Sequence, residues 1–177
     1  VKIATILPYK ENYTHQKAQA AAIWVCDFFK YSKFKNTNFI FGNTKGNDYL
    51  TKNYINISIN NLRSQFSSST KEYCKNFIKK IKKDNFDIIE IHNRPSVFNL
   101  LKKEIDSKYI LYFHNDPLSM NGSKSINERL KLLDELDKII FVSKWVQNRF
   151  FEKLDNKLIN KTEVVYPSIH KEKKIFK

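Results

Sequence analysis

Three histidines each come shortly after an apolar run of the sequence, and their side chains are suited to chemistry. They are His15, His92 and His114. A neutral imidazole can donate or accept a hydrogen bond near pH 7 and can respond to charge that develops beside it. If the apolar runs are strands of one parallel sheet, their carboxyl ends meet at the edge where open α/β sheets bind ligands. The three histidines therefore predict a functional cleft at that edge.

Polar neighbours accompany the histidines, and a fourth apolar run ends at the pair Ser143 and Lys144. We predict that these side chains bind substrate, with ordinary structural roles as the alternative. Asn93 could cap the helix that follows it, and the residues after His114 could form a simple turn. The predicted substrate-binding residues are His15, Gln16, Lys17, His92, Asn93, Arg94, Asn115, Asp116, Ser143 and Lys144.

The sequence lacks the signatures of several other chemistries. It contains no GxSxG, GxGxxG or GxxxxGK[ST] motif, so neither a serine hydrolase nor the two most common nucleotide-binding loops are indicated. A zinc site needs three or four converging ligands, and no closely spaced pair supports one among the three histidines. Cys26 and Cys74 lie 48 residues apart, which fits neither a zinc ribbon nor a disulfide framework and favours a reducing compartment. We therefore predict no bound metal and no cofactor.

Apolar or alternating segments predict strands, and they alternate with helix-forming segments along the whole chain. Strands are predicted at 1–7, 38–42, 53–59, 87–91, 108–113, 138–142 and 161–166. Helices are predicted at 16–29, from a capping box at 69–72, before residue 103, from a second box at 125–128, and at 144–154. With right-handed crossovers, this order gives an α/β fold. We expect a Rossmann-like three-layer domain with a mainly parallel sheet of about seven strands, spanning residues 1–177.

The chain is strongly basic, with 32 Lys and Arg residues against 18 Asp and Glu residues and a net charge of +14. Only four of the basic residues are Arg, and Lys, Asn and Ile together make up 67 of the 177 residues. These three residue types share codons rich in A and T, so codon bias explains much of the charge. The scarcity of Arg argues against specific nucleic-acid binding. An anionic acceptor or a membrane surface would explain the rest.

A basic helix face could bring the protein to a membrane. In the helix that begins at the first capping box, five lysines lie opposite an apolar face, and either solvent or a lipid surface could face them. They are Lys71, Lys75, Lys79, Lys82 and Lys83. The longest apolar run, 20–26, is too short to cross a bilayer, and the first residues do not resemble a signal peptide. We predict a cytoplasmic protein, with peripheral contact to the inner face of the membrane left open.

Four motifs follow one another in the second half of the chain. They are DIIEIHN at 87–93, ILYFHNDP at 110–117, LLDELDKIIFVS at 132–143 and EVVYPS at 163–168. Their order resembles the N-terminal domain of GT-B glycosyltransferases of family 4, and the resemblance covers nearly the whole chain. The sequence departs from that family in two places. The loop 12–19 has no Gly pair, and Pro-Ser-Ile-His at 167–170 stands where the family often has Asn-Gly-Val-Asp.

The resemblance implies the acceptor-side half of an enzyme built from two Rossmann-like domains. The donor-binding half would be absent, an interdomain linker would begin at about residue 168, and the isolated chain would be inactive. The resemblance further implies retaining, metal-independent transfer from a nucleotide-sugar to a cell-envelope glycan or glycolipid. His114 matches the histidine that contacts the donor sugar or the reacting centre, so it is the expected catalytic residue. A non-catalytic α/β ligand-binding module and, from charge alone, a polyanion-binding domain are the alternatives.

Overall fold

A computed structural model describes residues 1–59, 68–155 and 160–167; the linker predicted from about residue 168 lies outside them. The described residues form a sheet of seven parallel strands in the order β3-β2-β1-β4-β5-β6-β7. The prediction of a Rossmann-like α/β fold is confirmed. The strands are β1 (Ile3–Ile6), β2 (Asn38–Gly42), β3 (Tyr54–Asn56), β4 (Ile88–His92), β5 (Lys108–Phe113), β6 (Lys138–Phe141) and β7 (Thr162–Val164).

Within the described ranges, five α-helices connect the strands. They are α1 (Ala20–Tyr31), α2 (Ser69–Ile81), α3 (Pro95–Leu101), α4 (Ile126–Glu135) and α5 (Lys144–Phe150), and a 3₁₀ turn covers Pro117–Ser119. Helix α1 begins four residues later than expected, and the capping box predicted at the start of α2 is wrong. Ser68 occupies the N-cap there, which moves Glu72 one position too far along the helix for the reciprocal bond. The second predicted box, Ser125 with Glu128, is confirmed.

The helices cover both faces of the sheet, because side chains alternate between the two faces along each strand. One face packs against α2, α3, α4 and α5 around buried residues such as Ile89, Leu111 and Phe141. The other face packs against α1, through Trp24 and Val25. None of the described helices has the length and apolar composition needed to cross a membrane.

Candidate functional site

A pair of histidines lies in contact at the carboxyl edge of the two central strands. β4 and β5 are neighbours in the sheet; His92 ends β4, and His114 directly follows β5. Nδ1 of His92 and Nε2 of His114 are 2.8 Å apart, which is a hydrogen-bond distance. The sequence predicted both residues at this edge, and the structure brings their rings together.

Aromatic side chains enclose the histidine pair. Tyr112 of β5 stacks on His92 with ring centroids 4.4 Å apart, and Trp24 of α1 meets His114 edge-on at 5.2 Å. His92 is only 1% exposed, so its ring lies beneath the edge, and substrate contact by His92 stays a prediction. Burial, and then the nearby His114, lowers the pKa of His92 well below its usual range. Burial also lowers the pKa of His114 to about 4, so both rings are neutral at pH 7.

The half-buried carboxyl group of Glu90 lies beside the pair on the same face of the sheet. The Thr5 hydroxyl donates to Oε2 of Glu90 at 2.6 Å, and the Tyr112 hydroxyl donates to Oε1 at 3.2 Å. Burial raises the pKa of Glu90, although both hydrogen bonds act to lower it. These bonds link β1, β4 and β5 and hold the Tyr112 ring against His92.

Asn93 fixes the position of His114 through the backbone. Its φ of 54° lies in the left-handed region, which Asn tolerates better than most residues. Its Oδ1 accepts the backbone N–H groups of His114 at 2.9 Å and Asn115 at 3.2 Å, and its own N–H donates to the carbonyl of Tyr112. Asn93 is buried and does not cap α3, whose N-cap is Arg94. Its side chain therefore ties the end of β4 to the loop after β5.

A polar cleft of about 450 Å³ opens next to these loops. That volume is in the range of small-molecule sites. Among the described residues that line it, the charged ones are Arg94 and Lys124, and both are exposed cations. The remaining lining residues are Thr70, Asn93, Pro95, Ser96, Asn115, Ser119, Met120 and Asn121. This lining suits a hydroxyl-rich or anionic ligand. The sequence analysis did not identify Lys124 or Thr70 as candidate site residues.

The residues from Asp116 to Lys124 contribute one wall of the cleft, and an ion pair holds this loop. Oδ1 of Asp116 accepts the backbone N–H of Leu118 at 3.0 Å, and Oδ2 pairs with Arg149 of α5 at 3.2 Å. The structure thus gives both carboxylate oxygens of Asp116 a partner within the chain. These bonds anchor the loop, and substrate contact by Asp116 stays a prediction.

The loop before α1 carries three of the predicted site residues, and all three are exposed and lie outside the cleft lining. They are His15, Gln16 and Lys17. The adjoining N-terminus of α1 already has an internal carboxylate, because Oε1 of Glu11 accepts the N–H of Ala22 at 3.1 Å. Burial raises the pKa of Glu11, whereas the amides of Ala22 and Ala21 and the charge of Arg94 lower it. Substrate contact by the three loop residues stays a prediction.

The last two predicted site residues have local partners at the start of α5. The Ser143 hydroxyl accepts the N–H of Val146 at 3.2 Å, and Nζ of Lys144 donates to Oε1 of Gln147 at 3.0 Å. Neither residue borders the cleft, and substrate binding by them also stays a prediction. Within the described ranges, no three His, Cys, Asp or Glu side chains are grouped closely enough to hold a metal ion.

Three residues that enclose the histidines were missed from the sequence. Glu90 could have been predicted from the sequence, because a charged residue stands in an apolar strand on the same face as His92. Trp24 could not have been predicted, since the apolar composition of α1 does not say which strands the helix crosses. Tyr112 reads as an ordinary strand residue, although its ring stacks on His92.

The fold and the edge site together define an α/β domain with a polar cleft at the carboxyl ends of its central strands. No family model matches the chain, and no curated protein matches its sequence. Solved structures do match. HepE of Anabaena, in complex with UDP-glucose, superposes with a TM-score of 0.62 over 95% of this chain at 11% identity. Sucrose-phosphate synthase of Thermosynechococcus elongatus superposes with a TM-score of 0.63 over 93% of this chain at 12% identity.

Both neighbours are GT-B glycosyltransferases, and the chain has the fold of a GT-B N-terminal-like domain. At this level of identity the likeness extends to the fold alone. The matches cover 44% of HepE and 47% of the synthase, so the chain spans less than half the length of these neighbours. UDP-N-acetylglucosamine 2-epimerase also matches, with a TM-score of 0.50 at 12% identity. Function must therefore be argued from the site.

Proposed function

We propose that the chain is the N-terminal, acceptor-side half of a retaining, metal-independent glycosyltransferase. It would move a sugar from a nucleotide-sugar to a cell-envelope glycan or glycolipid. The observation that carries this proposal is the neutral pair of His92 and His114 at the edge of the central strands. The two rings do not line the polar cleft themselves, but their chain neighbours Asn93 and Asn115 do. The complex of HepE with UDP-glucose supports a nucleotide-sugar as the donor class. A second Rossmann-like domain would supply most of the donor site.

His114 is the residue of this chain proposed to lie closest to the reacting sugar. Its backbone is fixed by Asn93, and its ring is fixed by His92 and Trp24. A ring held in this way can hydrogen-bond a sugar or phosphate oxygen without the cost of reorganisation during the reaction. Because both partners must be held for transfer, this chain without the donor half is expected to be inactive.

Arg94 is proposed to bind an anionic group of the acceptor. Nη1 of Arg94 donates to the carbonyl of Asn93 at 2.8 Å, which orients the guanidinium at the border of the cleft. The other guanidinium donors can pair with a phosphate or carboxylate in a bidentate manner. Lys124 adds a second positive charge to the same cleft. Exposed lysines on α2, such as Lys71 and Lys75, would favour an anionic membrane surface that presents a lipid-linked acceptor.

The test is the acceptor dependence of an Arg94→Ala variant in the complete enzyme. Loss of a charge-assisted hydrogen bond should raise KM for a phosphorylated or carboxylated acceptor about tenfold or more, with kcat within about twofold. KM for an uncharged acceptor of the same sugar should stay unchanged. Lys103→Ala is the matched control, because Lys103 is an exposed cation that does not border the cleft. An equal rise in KM for charged and uncharged acceptors, or no rise, would remove Arg94 from the acceptor site.

A further inference from the structure

The contact between His92 and His114 determines where the proton of each ring can reside. Only one nitrogen of the 2.8 Å pair can carry the shared proton when both rings are neutral. If Nε2 of His114 carries it, His92 must keep its own proton on Nε2. If Nδ1 of His92 carries it, Nε2 of His92 is a bare acceptor, and His114 must keep its proton on Nδ1.

The surroundings of His92 distinguish between these two arrangements. Nε2 of His92 is buried and has no hydrogen-bond partner among the described residues. Buried N–H groups without any partner are rare in proteins, and buried acceptors without a full set of partners are somewhat less so. The arrangement with a bare Nε2 is therefore favoured, and Nδ1 of His92 donates to Nε2 of His114.

The second nitrogen of His114 is the one available to a ligand. Within the described parts of the chain, Nδ1 of His114 has no hydrogen-bond partner, and it is not among the buried unpaired atoms. The ring cannot turn over freely, because Trp24 packs against it edge-on and Asn93 holds its backbone. The orientation of the His114 ring, and with it the position of Nδ1, is therefore fixed.

We propose that His92 is a positioning residue that keeps the proton of His114 on Nδ1, so that His114 presents an N–H donor to substrate. This inference rests on the proposed function for the identity of that substrate, whose bonded atom is an oxygen of a sugar hydroxyl or of a phosphate. In this arrangement His114 offers no lone pair to the substrate, so it does not serve as a general base. Its contribution is a neutral hydrogen bond to an oxygen that gains negative charge during the reaction.

The direct test is ¹⁵N NMR of the protein labelled at histidine, with the four imidazoles distinguished by single substitutions. Protonated and bare ring nitrogens give well-separated ¹⁵N shifts, so the tautomer of each ring is read directly. At pH 7 we expect His92 and His114 both to carry their proton on Nδ1. A His114 ring protonated on Nε2, or a cationic ring, would overturn the proposal.

Two variants at position 92 separate this role from simple packing. His92→Phe keeps a ring against Tyr112 but offers no hydrogen bond, so His114 should become a mixture of tautomers. His92→Asn places an amide donor near the position of Nδ1 and should restore the single tautomer. In the complete enzyme, His92→Phe should lower kcat about fivefold to tenfold, the rate equivalent of one neutral hydrogen bond, and His92→Asn should recover at least half of the wild-type kcat. A single Nδ1 tautomer retained in His92→Phe would overturn the proposal.

The result can be distinguished from failure of the proposed function, because the tautomers are read without any substrate. If the spectra agree with the proposal and the complete protein transfers no sugar, only the proposed function fails. If transfer occurs and His114 is protonated on Nε2, only this inference fails. Should His92→Phe not fold, the wild-type spectrum decides the question by itself.

Discussion

Folding lowers the pKa of His92 and of His114, because burial disfavours a charged imidazole. A lone histidine at the end of a strand is usually only a structural residue. Here two histidines share a hydrogen bond next to Trp24, and Nδ1 of His114 is left toward solvent. Together they form a site that can bind an oxygen atom. The residue types were evident from the sequence, whereas the contact between them depends on the register of β4 against β5.

The lowered pKa of His114 predicts acid sensitivity. Between the unfolded pKa near 6.5 and the folded pKa of about 4, the unfolded chain binds the extra proton, so the free energy of unfolding falls as pH falls through this window. Burial raises the pKa of Glu90 and Glu11, so these two carboxyl groups make the free energy of unfolding rise as pH falls. The contribution of His114 is therefore measured as a difference between the wild type and a variant. Relative to His114→Asn, the wild type should lose about 2 to 3 kcal/mol of stability on going from pH 7 to pH 4.

Urea unfolding at several pH values measures this difference. His15→Asn is the control, because it removes an exposed histidine that lies outside the His92–His114 pair. Parallel stability curves for the wild type and His114→Asn would contradict the neutral, buried state of His114.

Asn93 predicts a difference between two small substitutions. Both Asn93→Gly and Asn93→Ala remove the acceptor of the His114 and Asn115 amides, but only alanine is strained at a φ of 54°. The alanine variant should therefore be about 1 kcal/mol less stable than the glycine variant, with both below the wild type by about 1 to 3 kcal/mol. Denaturant midpoints measure these values. Equal stabilities for the two variants would show that the left-handed backbone at this position is not maintained.

At the scale of elements, the wall of the cleft depends on contacts between segments far apart in the sequence. The loop after β5 is anchored by Asp116 to Arg149 of α5, and by Arg129 of α4, whose guanidinium donates to the carbonyl of Lys124 at 2.9 Å. Such partners lie beyond the reach of local sequence patterns. The capping box of α4 was predictable because its two residues, Ser125 and Glu128, lie within four positions at the start of one helix.

The close packing of Gly122 predicts that the cleft wall is sensitive to a side chain at this position. Its φ is +95°, and a Cβ there would lie 2.9 Å from the backbone nitrogen of Ser96, at the start of α3. Gly122→Ala should therefore displace the loop, raise the acceptor KM and lower stability by more than backbone strain alone. Gly46→Ala is the matched control, because Gly46 has a φ of +101° and its Cβ would meet only Thr14 at 3.8 Å. Its cost should be the backbone strain alone, about 1 to 2 kcal/mol.

Kinetics and denaturant unfolding of the two glycine variants distinguish the effects. Equal losses of stability, with the acceptor KM unchanged in Gly122→Ala, would mean that the wall does not depend on this close approach.

At the scale of the whole molecule, the alternation of strands and helices was sufficient to predict the fold. Parallel strands buried on both faces appear in the sequence as apolar runs, and β1, β5 and β6 are clear examples. The placement of His114 at the carboxyl edge followed from the same pattern. The cleft could not be predicted from this pattern, because its lining combines Thr70 of α2, Arg94 and Lys124 from three separate segments. Nor does a net charge of +14 locate a binding site, since exposed lysines occur over much of the surface.

The most direct test of the central claim is sugar transfer by the proposed complete protein, in which this chain would be joined to a donor-binding domain. We expect nucleotide-sugar-dependent transfer to an acceptor, none from the 177-residue chain alone, and a fall of about tenfold or more in kcat for His114→Ala. Lys103→Ala, a change at an exposed residue outside the cleft lining, should leave kcat unchanged. Circular dichroism checks that each variant folds. Epimerisation of the nucleotide-sugar without transfer, or a loss under about threefold in kcat for His114→Ala, would contradict the account.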